Sequence, residues 1–352
     1  MKRIVCILVV LFAGLLAPSA ARSQATAPIG TVGSGATPQQ PVGTSGTLVT
    51  PVAPAPSGTT FKSATELVAL NVTVTDGRDR FVKGLTKDDF AVFEDGVPQE
   101  LTFFAANQVP LDLAIMIDTS ASMTDKIDLV RQAATKFVQT LRSGDRAEVV
   151  AFASDTQVLV PFTDDKPKLQ AAIAAARPRG STALYNSLYI AVQDLARLSR
   201  REGDLRRPAI VVLTDGDDTS SMVSFDDLLE SAKRANVAVY AISIVSKTDA
   251  ARFGGDGTHR FSTESDYALR SLTQETGGRA FFPNEMKDLD GVYGEIADEL
   301  SAQYSLAYTP RSRTDGSFHR LFVRVLHRDD VRPRTRTGYY APRTVQAAVD
   351  VR

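Results

Sequence analysis

At 352 residues, with 43% hydrophobic and 23% charged side chains, the chain has room for about two ordinary globular domains and is too apolar to be disordered throughout. Its formal net charge of −1 removes the electrostatic reason to expect a nucleic-acid partner. The single cysteine, Cys6, sits inside the first segment, which excludes disulfides, thiolate metal centres and cysteine nucleophiles from everything downstream.

Residues 1–24 read as a signal peptide. Lys2 and Arg3 precede an apolar stretch from Ile4 to Leu16, and small residues suited to cleavage follow from Ala17 to Ala25. The apolar stretch is short for a membrane span, and no other stretch approaches one. The expectation is an exported protein, periplasmic or secreted, with no transmembrane segment in its mature chain. A thiol-free mature chain suits that oxidising space. Residues 25–60 are rich in Pro, Gly, Ser, Thr and Ala, as in Pro51-Val52-Ala53-Pro54-Ala55-Pro56. Such a segment cannot bury enough apolar surface to offset its ordering entropy and reads as a disordered linker.

Residues 61–109 carry short strand patterns. Val68, Leu70, Val72 and Val74 alternate with more polar neighbours, Phe90 to Phe93 and Leu101 to Phe104 follow, and Asp76-Gly77 and Asp95-Gly96 mark turns. From residue 110 to 303 the pattern changes. Three nearly continuous apolar runs, Leu113 to Ile117, Ile210 to Leu213 and Val237 to Val245, are the mark of parallel strands covered on both faces. Helical periodicity falls between and after them, at Lys126 to Leu141, Lys168 to Ala176, Leu184 to Leu198, Phe225 to Ala235, Tyr267 to Thr276 and Leu289 to Ala302. Asp145 to Ala153 and Thr156 to Phe162 flank a Ser154-Asp155 turn, so one edge strand should run antiparallel. The expected fold class is α/β, a doubly wound and mostly parallel sheet.

Strand character returns in residues 304–345, at Tyr304 to Tyr308, Arg320 to Leu326 and Arg332 to Tyr340. Neither flank has enough strands for a stable sheet of its own. The two should therefore pair, making the α/β domain an insertion in a small β-sandwich, with residues 346–352 as a tail. Arg332, Arg334 and Arg336 fall on one face of the last predicted strand, where charge would protect a sheet edge.

Three oxygen-bearing segments stand out. Asp118-Thr119-Ser120-Ala121-Ser122 ends the first apolar run, Thr182 precedes a helix start, and Asp215 ends the second run. Ligands of open α/β sheets bind beyond the carboxyl ends of the strands, where both aspartates should lie. Oxygen donors of low total charge suit a hard divalent cation of the Mg²⁺ or Mn²⁺ kind that keeps a coordination position for water or an outside carboxylate. Helix capping is the competing use of such residues. Asp217 and Asp218 beside Asp215 read as a solvated acidic loop.

Taken together, Asp118, Ser120, Ser122, Thr182 and Asp215 resemble the metal-ion-dependent adhesion site of von Willebrand factor type A domains, whose pattern is Asp-x-Ser-x-Ser, then Thr, then Asp. The resemblance covers roughly residues 111–302. The flanks, with Leu85-Thr86-Lys87-Asp88-Asp89-Phe90, Glu94-Asp95-Gly96 and Gly338-Tyr339-Tyr340, look like exported bacterial members of this family described from acidobacteria. The resemblance implies a divalent cation, Mg²⁺ before Mn²⁺ or Ca²⁺, held by those five residues. It also implies a protein ligand supplying a Glu or Asp carboxylate, in adhesion or complex assembly, without catalysis.

Two rivals have less support. A metal-dependent hydrolase of the haloacid-dehalogenase type needs a second aspartate where Ser120 stands, and neither a Gly-x-Ser-x-Gly elbow nor a His-Glu-x-x-His motif occurs. His259, in a glycine-rich loop, has no partner motif. A metal-independent envelope scaffold is the other rival. Oligomeric state has no sequence signal.

Overall fold

The computed structural model describes residues 67–106, 109–202, 205–215, 217–244, 264–310 and 315–342. The predicted signal peptide, linker and tail lie outside them, as does the loop carrying His259.

The chain opens with four strands, β1 (Val68–Asp76), β2 (Phe90–Glu94), β3 (Val97–Gln99) and β4 (Leu101–Ala106). Val68, Leu70, Val72 and Val74 of β1 are buried as their alternation predicts, but Thr73 between them is buried too. β2 and β3 form a hairpin through Asp95-Gly96, with Glu94 opposite Val97. Asp95 and Gly96 both take positive φ, 49° and 82°, the backbone a two-residue turn of this hand requires. β3 was not legible in the sequence because it is three residues long and contains Pro98.

The inserted domain runs β5 (Leu111–Asp118), α1 (Ile127–Gln139), β6 (Arg146–Phe152), β7 (Thr156–Thr163), α2 (Lys166–Ala175), α3 (Leu184–Glu202) and β8 (Arg207–Thr214). It continues with α4 (Phe225–Ala235), β9 (Ala238–Ser243), α5 (Glu264–Thr276), β10 (Ala280–Phe281) and α6 (Leu289–Ala302). Its sheet has the order β10-β9-β8-β5-β6-β7, parallel except that β7 runs against β6. Every residue of β5 and β8 is buried. Leu113, Ile115 and Ile117 face α1, α2 and α6, whereas Ala114 and Met116 face α3, α4 and α5. Helices on both faces leave no polar side for a strand to show, which is why these runs lack alternation.

The chain then returns as β11 (Tyr304–Tyr308), β12 (Phe318–Val325), β13 (Val331–Arg334) and β14 (Gly338–Tyr340). Two four-stranded sheets result, β13-β1-β11-β4 and β14-β12-β2-β3, each mixing strands from both flanks. Leu70, Val72, Phe90, Val92, Leu306, Val323 and Val325 fill the layer between them. The doubly wound domain is thus inserted in a β-sandwich.

The expected single strand from Arg332 to Tyr340 is two. β13 pairs with β1 and β14 with β12, in different sheets. The crossing residue Arg336 is buried, donates to Ala69 O at 2.8 Å and lies over the Tyr339 ring. Arg334 pairs with Glu299. Of the three arginines, only Arg332 is exposed as edge protection requires.

Candidate metal centre

Strand order reverses at β5, whose neighbours β8 and β6 lie on opposite sides. The crevice beyond the carboxyl ends of β5 and β8 is therefore the natural ligand site of this sheet. Asp118 is the last residue of β5, and Asp215 immediately follows β8. Both are buried, with Asp118 fully so.

Four of the five predicted residues meet there through side chains or local backbone. Ser120 Oγ and Ser122 Oγ are 2.9 Å apart, and Ser122 Oγ donates to Asp215 Oδ1 at 2.7 Å. Asp118 Oδ1 accepts from the Ser120 amide at 2.8 Å, and Oδ2 accepts from the Thr214 hydroxyl at 2.6 Å. Burial pushes the Asp118 carboxyl above its ordinary range, the Thr214 and Ser120 hydrogen bonds oppose that, and nearby Asp215 adds to it.

Thr182 is brought in by backbone. Ala121 N donates to Gly180 O at 3.0 Å and Arg179 N to Thr119 O at 2.5 Å, strapping the residue 179–182 loop to the loop after β5. Thr182 O accepts from the amides of Thr219 and Ser220, and Thr182 N donates to Thr219 Oγ1 at 3.1 Å. The Thr182 side chain makes no hydrogen bond to the other four among the described residues. Asp218 is not a solvated acid: it accepts from the amides of Tyr185, Ser220 and Ser221, fixing the loop after β8 to the first turn of α3.

The sequence reading missed two participants. Thr214 holds Asp118. Lys126, ahead of α1, forms an ion pair with Asp215 Oδ2. Either residue could have been found only by knowing that the ends of β5 and β8 adjoin.

The donor set fits a hard divalent cation. It consists of side-chain oxygens, two of them carboxylates, in mutual contact and with no nitrogen or sulfur donor. Asp118, Ser120, Ser122 and Asp215 would hold the ion, with Thr182 on the adjoining loop.

A mostly parallel sheet covered by helices on both faces, with an oxygen-lined crevice where its strand order reverses, defines a doubly wound α/β domain. The family model of the von Willebrand factor type A domain matches residues 112–295, just over half of the chain, and the chain belongs to that family. An uncharacterised protein of Borreliella burgdorferi (strain B31) is 25% identical over 210 residues, covering 55% of this chain and 56% of its own. A UPF0353 protein of Mycolicibacterium paratuberculosis is 23% identical over 211 residues, covering 55% of this chain and 62% of its own. The chain thus spans a little over half the length of these curated relatives. Among solved structures, a von Willebrand factor type A protein from Catenulispora acidiphila is similar at 13% identity and a TM-score of 0.46, over 80% of this chain and 74% of that one. An aerotolerance-related membrane protein from Bacteroides fragilis is similar at 16% identity and a TM-score of 0.42, over 54% of this chain and 98% of that one. No helix among the described residues is long and apolar enough to cross a membrane.

Proposed function

We propose that this protein is an exported, metal-dependent protein-binding module that captures an acidic side chain of a partner through a divalent cation, Mg²⁺ before Mn²⁺ or Ca²⁺. One observation carries the reading: the oxygens of Ser120, Ser122 and Asp215 are already in contact beside Asp118, at the crevice the sheet reserves for ligands. A cation bound there supplies a positive, coordinatively unsaturated point for an incoming carboxylate. Asp118, held in place by Thr214 and the Ser120 amide, anchors the ion. Ser120 and Ser122 contribute neutral oxygens, which keep total negative charge low and leave the ion attractive to an outside anion. Thr182, on the neighbouring loop, shapes the partner's approach. The same arrangement serves binding without turnover, in adhesion or in assembly of a complex. The signal-peptide pattern of residues 1–24 supports a periplasmic or extracellular setting for that activity.

A pull-down with and without EDTA, with Asp118→Ala as control, tests this. A partner lost in EDTA and lost with Asp118→Ala supports the reading, and so does a melting temperature that Mg²⁺ raises in the parent chain only. Capture indifferent to both treatments defeats it. Turnover of a chromogenic phosphate or ester that disappears with Asp118→Ala would make the protein a hydrolase instead.

A further inference from the structure

We infer that the bare edge of β12, from Val323 to Val325, binds an extended acidic segment of a partner protein, which adds to the outer sheet as a further strand. This surface is separate from the metal crevice and needs no ion.

β12 is flanked by β2 along Leu321 to Val325, but on its other side β14 covers only Phe318 to Arg320. The hydrogen bonds show which groups are left over. Asp95 N donates to Arg320 O at 2.9 Å and Leu326 N to Asp89 O at 2.7 Å, so the even-numbered residues of β12 bond toward β2. Leu321 N donates the other way, to Thr337 O at 2.9 Å. Val323 and Val325 follow in that phase and turn their N–H and C=O groups away from β2, where no strand or loop among the described residues pairs with them. The chain that could have covered them has left for the other sheet as β13.

That departure leaves a groove of about 570 Å³ between β12 and the segment from Val331 to Thr337, a size within the range of ligand clefts. Arg324, Arg328, Arg332, Arg334 and Arg336 line it, with Asp329 as the carboxylate among the lining residues. Arg328 is tied to Asp330 and Arg334 to Glu299, while Asp329 comes only within 4.0 Å of Arg324. Neither Arg332 nor Arg336 meets a carboxylate among the described residues. The groove therefore carries a positive excess that an acidic segment would complement.

A separate observation points to an anion. Arg336 is only 9% exposed, and its Nε has no hydrogen-bond partner. Burial lowers its pKa to about 10, which leaves it charged at neutral pH. Its hydrogen bond goes to a neutral carbonyl, Ala69 O. A buried guanidinium without a counter-ion is costly, and the hydroxyl of neighbouring Thr335 is buried and unpaired as well. A strand added to β12 sends alternate side chains between the sheets, as Leu321, Val323 and Val325 do. A carboxylate opposite Val323 thus enters on the side of Arg336 and supplies the missing charge. The other side chains face outward, where Phe322, 62% exposed, favours an apolar neighbour. The chain's own segments outside the described residues match this poorly: residues 25–60 contain no charged side chain, and residues 343–352 hold one Asp against two Arg.

The test uses the full chain in EDTA, which empties the crevice, and two synthetic heptapeptides, one alternating Val with Glu and the other Val with Lys. The Glu peptide should bind, more weakly as salt rises, and should protect the Val323 and Val325 amides from hydrogen exchange. The Lys peptide should not bind. Val323→Pro removes the N–H that faces the groove and no bond to β2, so it should abolish binding. Arg324→Glu, at an exposed position, should weaken binding by at least about tenfold. Should Val323→Pro not fold, Arg324→Glu and the exchange measurement decide. Binding of neither peptide, equal binding of both, or binding indifferent to Arg324→Glu overturns the proposal. So does protection of the two amides in the free chain that vanishes on dilution or on removal of residues 343–352, which would give the edge to a second copy or to the chain's own tail.

Discussion

Lys126 and Asp215, 89 residues apart, are joined across the mouth of the crevice by an ion pair that leaves the Asp215 side chain without solvent exposure. The ammonium faces the carboxylate oxygen that Ser122 does not use. The chain thereby supplies a tethered cation of its own at the edge of the oxygen cluster.

Lys126→Met should consequently act in two opposite ways. Without metal, a buried carboxylate loses its charge partner, and stability falls by roughly 3 kcal/mol. With metal, competition for Asp215 is relieved and Mg²⁺ affinity rises. Urea denaturation of parent and variant, in EDTA and in saturating Mg²⁺, separates the two. A variant whose Mg²⁺ affinity falls would make Lys126 a support for the site, not a competitor.

Gly180 has φ +67°, and a Cβ placed there would lie 2.4 Å from Ser154 Oγ. That hydroxyl accepts from Ser181 N, and Gly180 O holds the Ala121 amide. Gly180→Ala should cost about 1–2 kcal/mol for the left-handed backbone and lower Mg²⁺ affinity by loosening the strap between the two loops. Calorimetric Mg²⁺ titration checks it; an unaltered affinity would show the loops to be independent.

Glu148, on β6 and buried, faces α3, where Asp194 adds to a pKa pushed up to about 7, chiefly by burial. The folded chain holds this proton at pH values where the unfolded chain has released it. Stability therefore declines as pH rises from about 4.5 to about 7 and is level above that, a loss of about 3 kcal/mol in total. Glu148→Gln should remove this part of the pH dependence and stabilise the protein at pH 8. Denaturation midpoints at pH 5 and pH 8 give the comparison, and equal differences at both would refute it.

Glu299 on α6 is almost fully buried and gathers contacts from both halves of the fold. Tyr240 of β9 donates to it at 2.8 Å, Thr73 of β1 at 3.5 Å, and Arg334 of β13 pairs with it. Arg334→Met leaves a buried charge with neutral donors only, so unfolding should become easier by about 2–3 kcal/mol. Thr73→Val, which removes only a long contact, should cost under about 1 kcal/mol. Chemical denaturation of both variants tests the ranking, and a larger loss at Thr73 would reverse it.

Much of this architecture could be read from local pattern. Leu113 to Ile117 and Ile210 to Leu213 announce covered strands because both their faces meet helices. The Asp-x-Ser-x-Ser segment lies at a strand end, so its oxygens are close for local reasons. What stayed hidden depends on chain remote in sequence. Arg332 to Tyr340 keeps strand composition throughout, and only the burial of Arg336 against Ala69 and Tyr339 shows where it changes sheets. Thr73 looks like a polar position of an alternating strand until Glu299 arrives from α6. His319 meets Asp95 from 224 residues away, and no spacing rule links a β-turn to a strand so far along the chain.

The mixed parentage of the two outer sheets makes most of their pairings distant along the chain, which raises the loop-closure cost of forming them. β1 pairs with β11 and β13, β4 with β11, and β2 with β12, so apart from the local β2–β3 hairpin these strands find their partners only in residues beyond 303. The inserted domain draws its sheet and helices from one unbroken stretch. By holding Ala106 and Tyr304 side by side, it shortens the search that the outer strands must make.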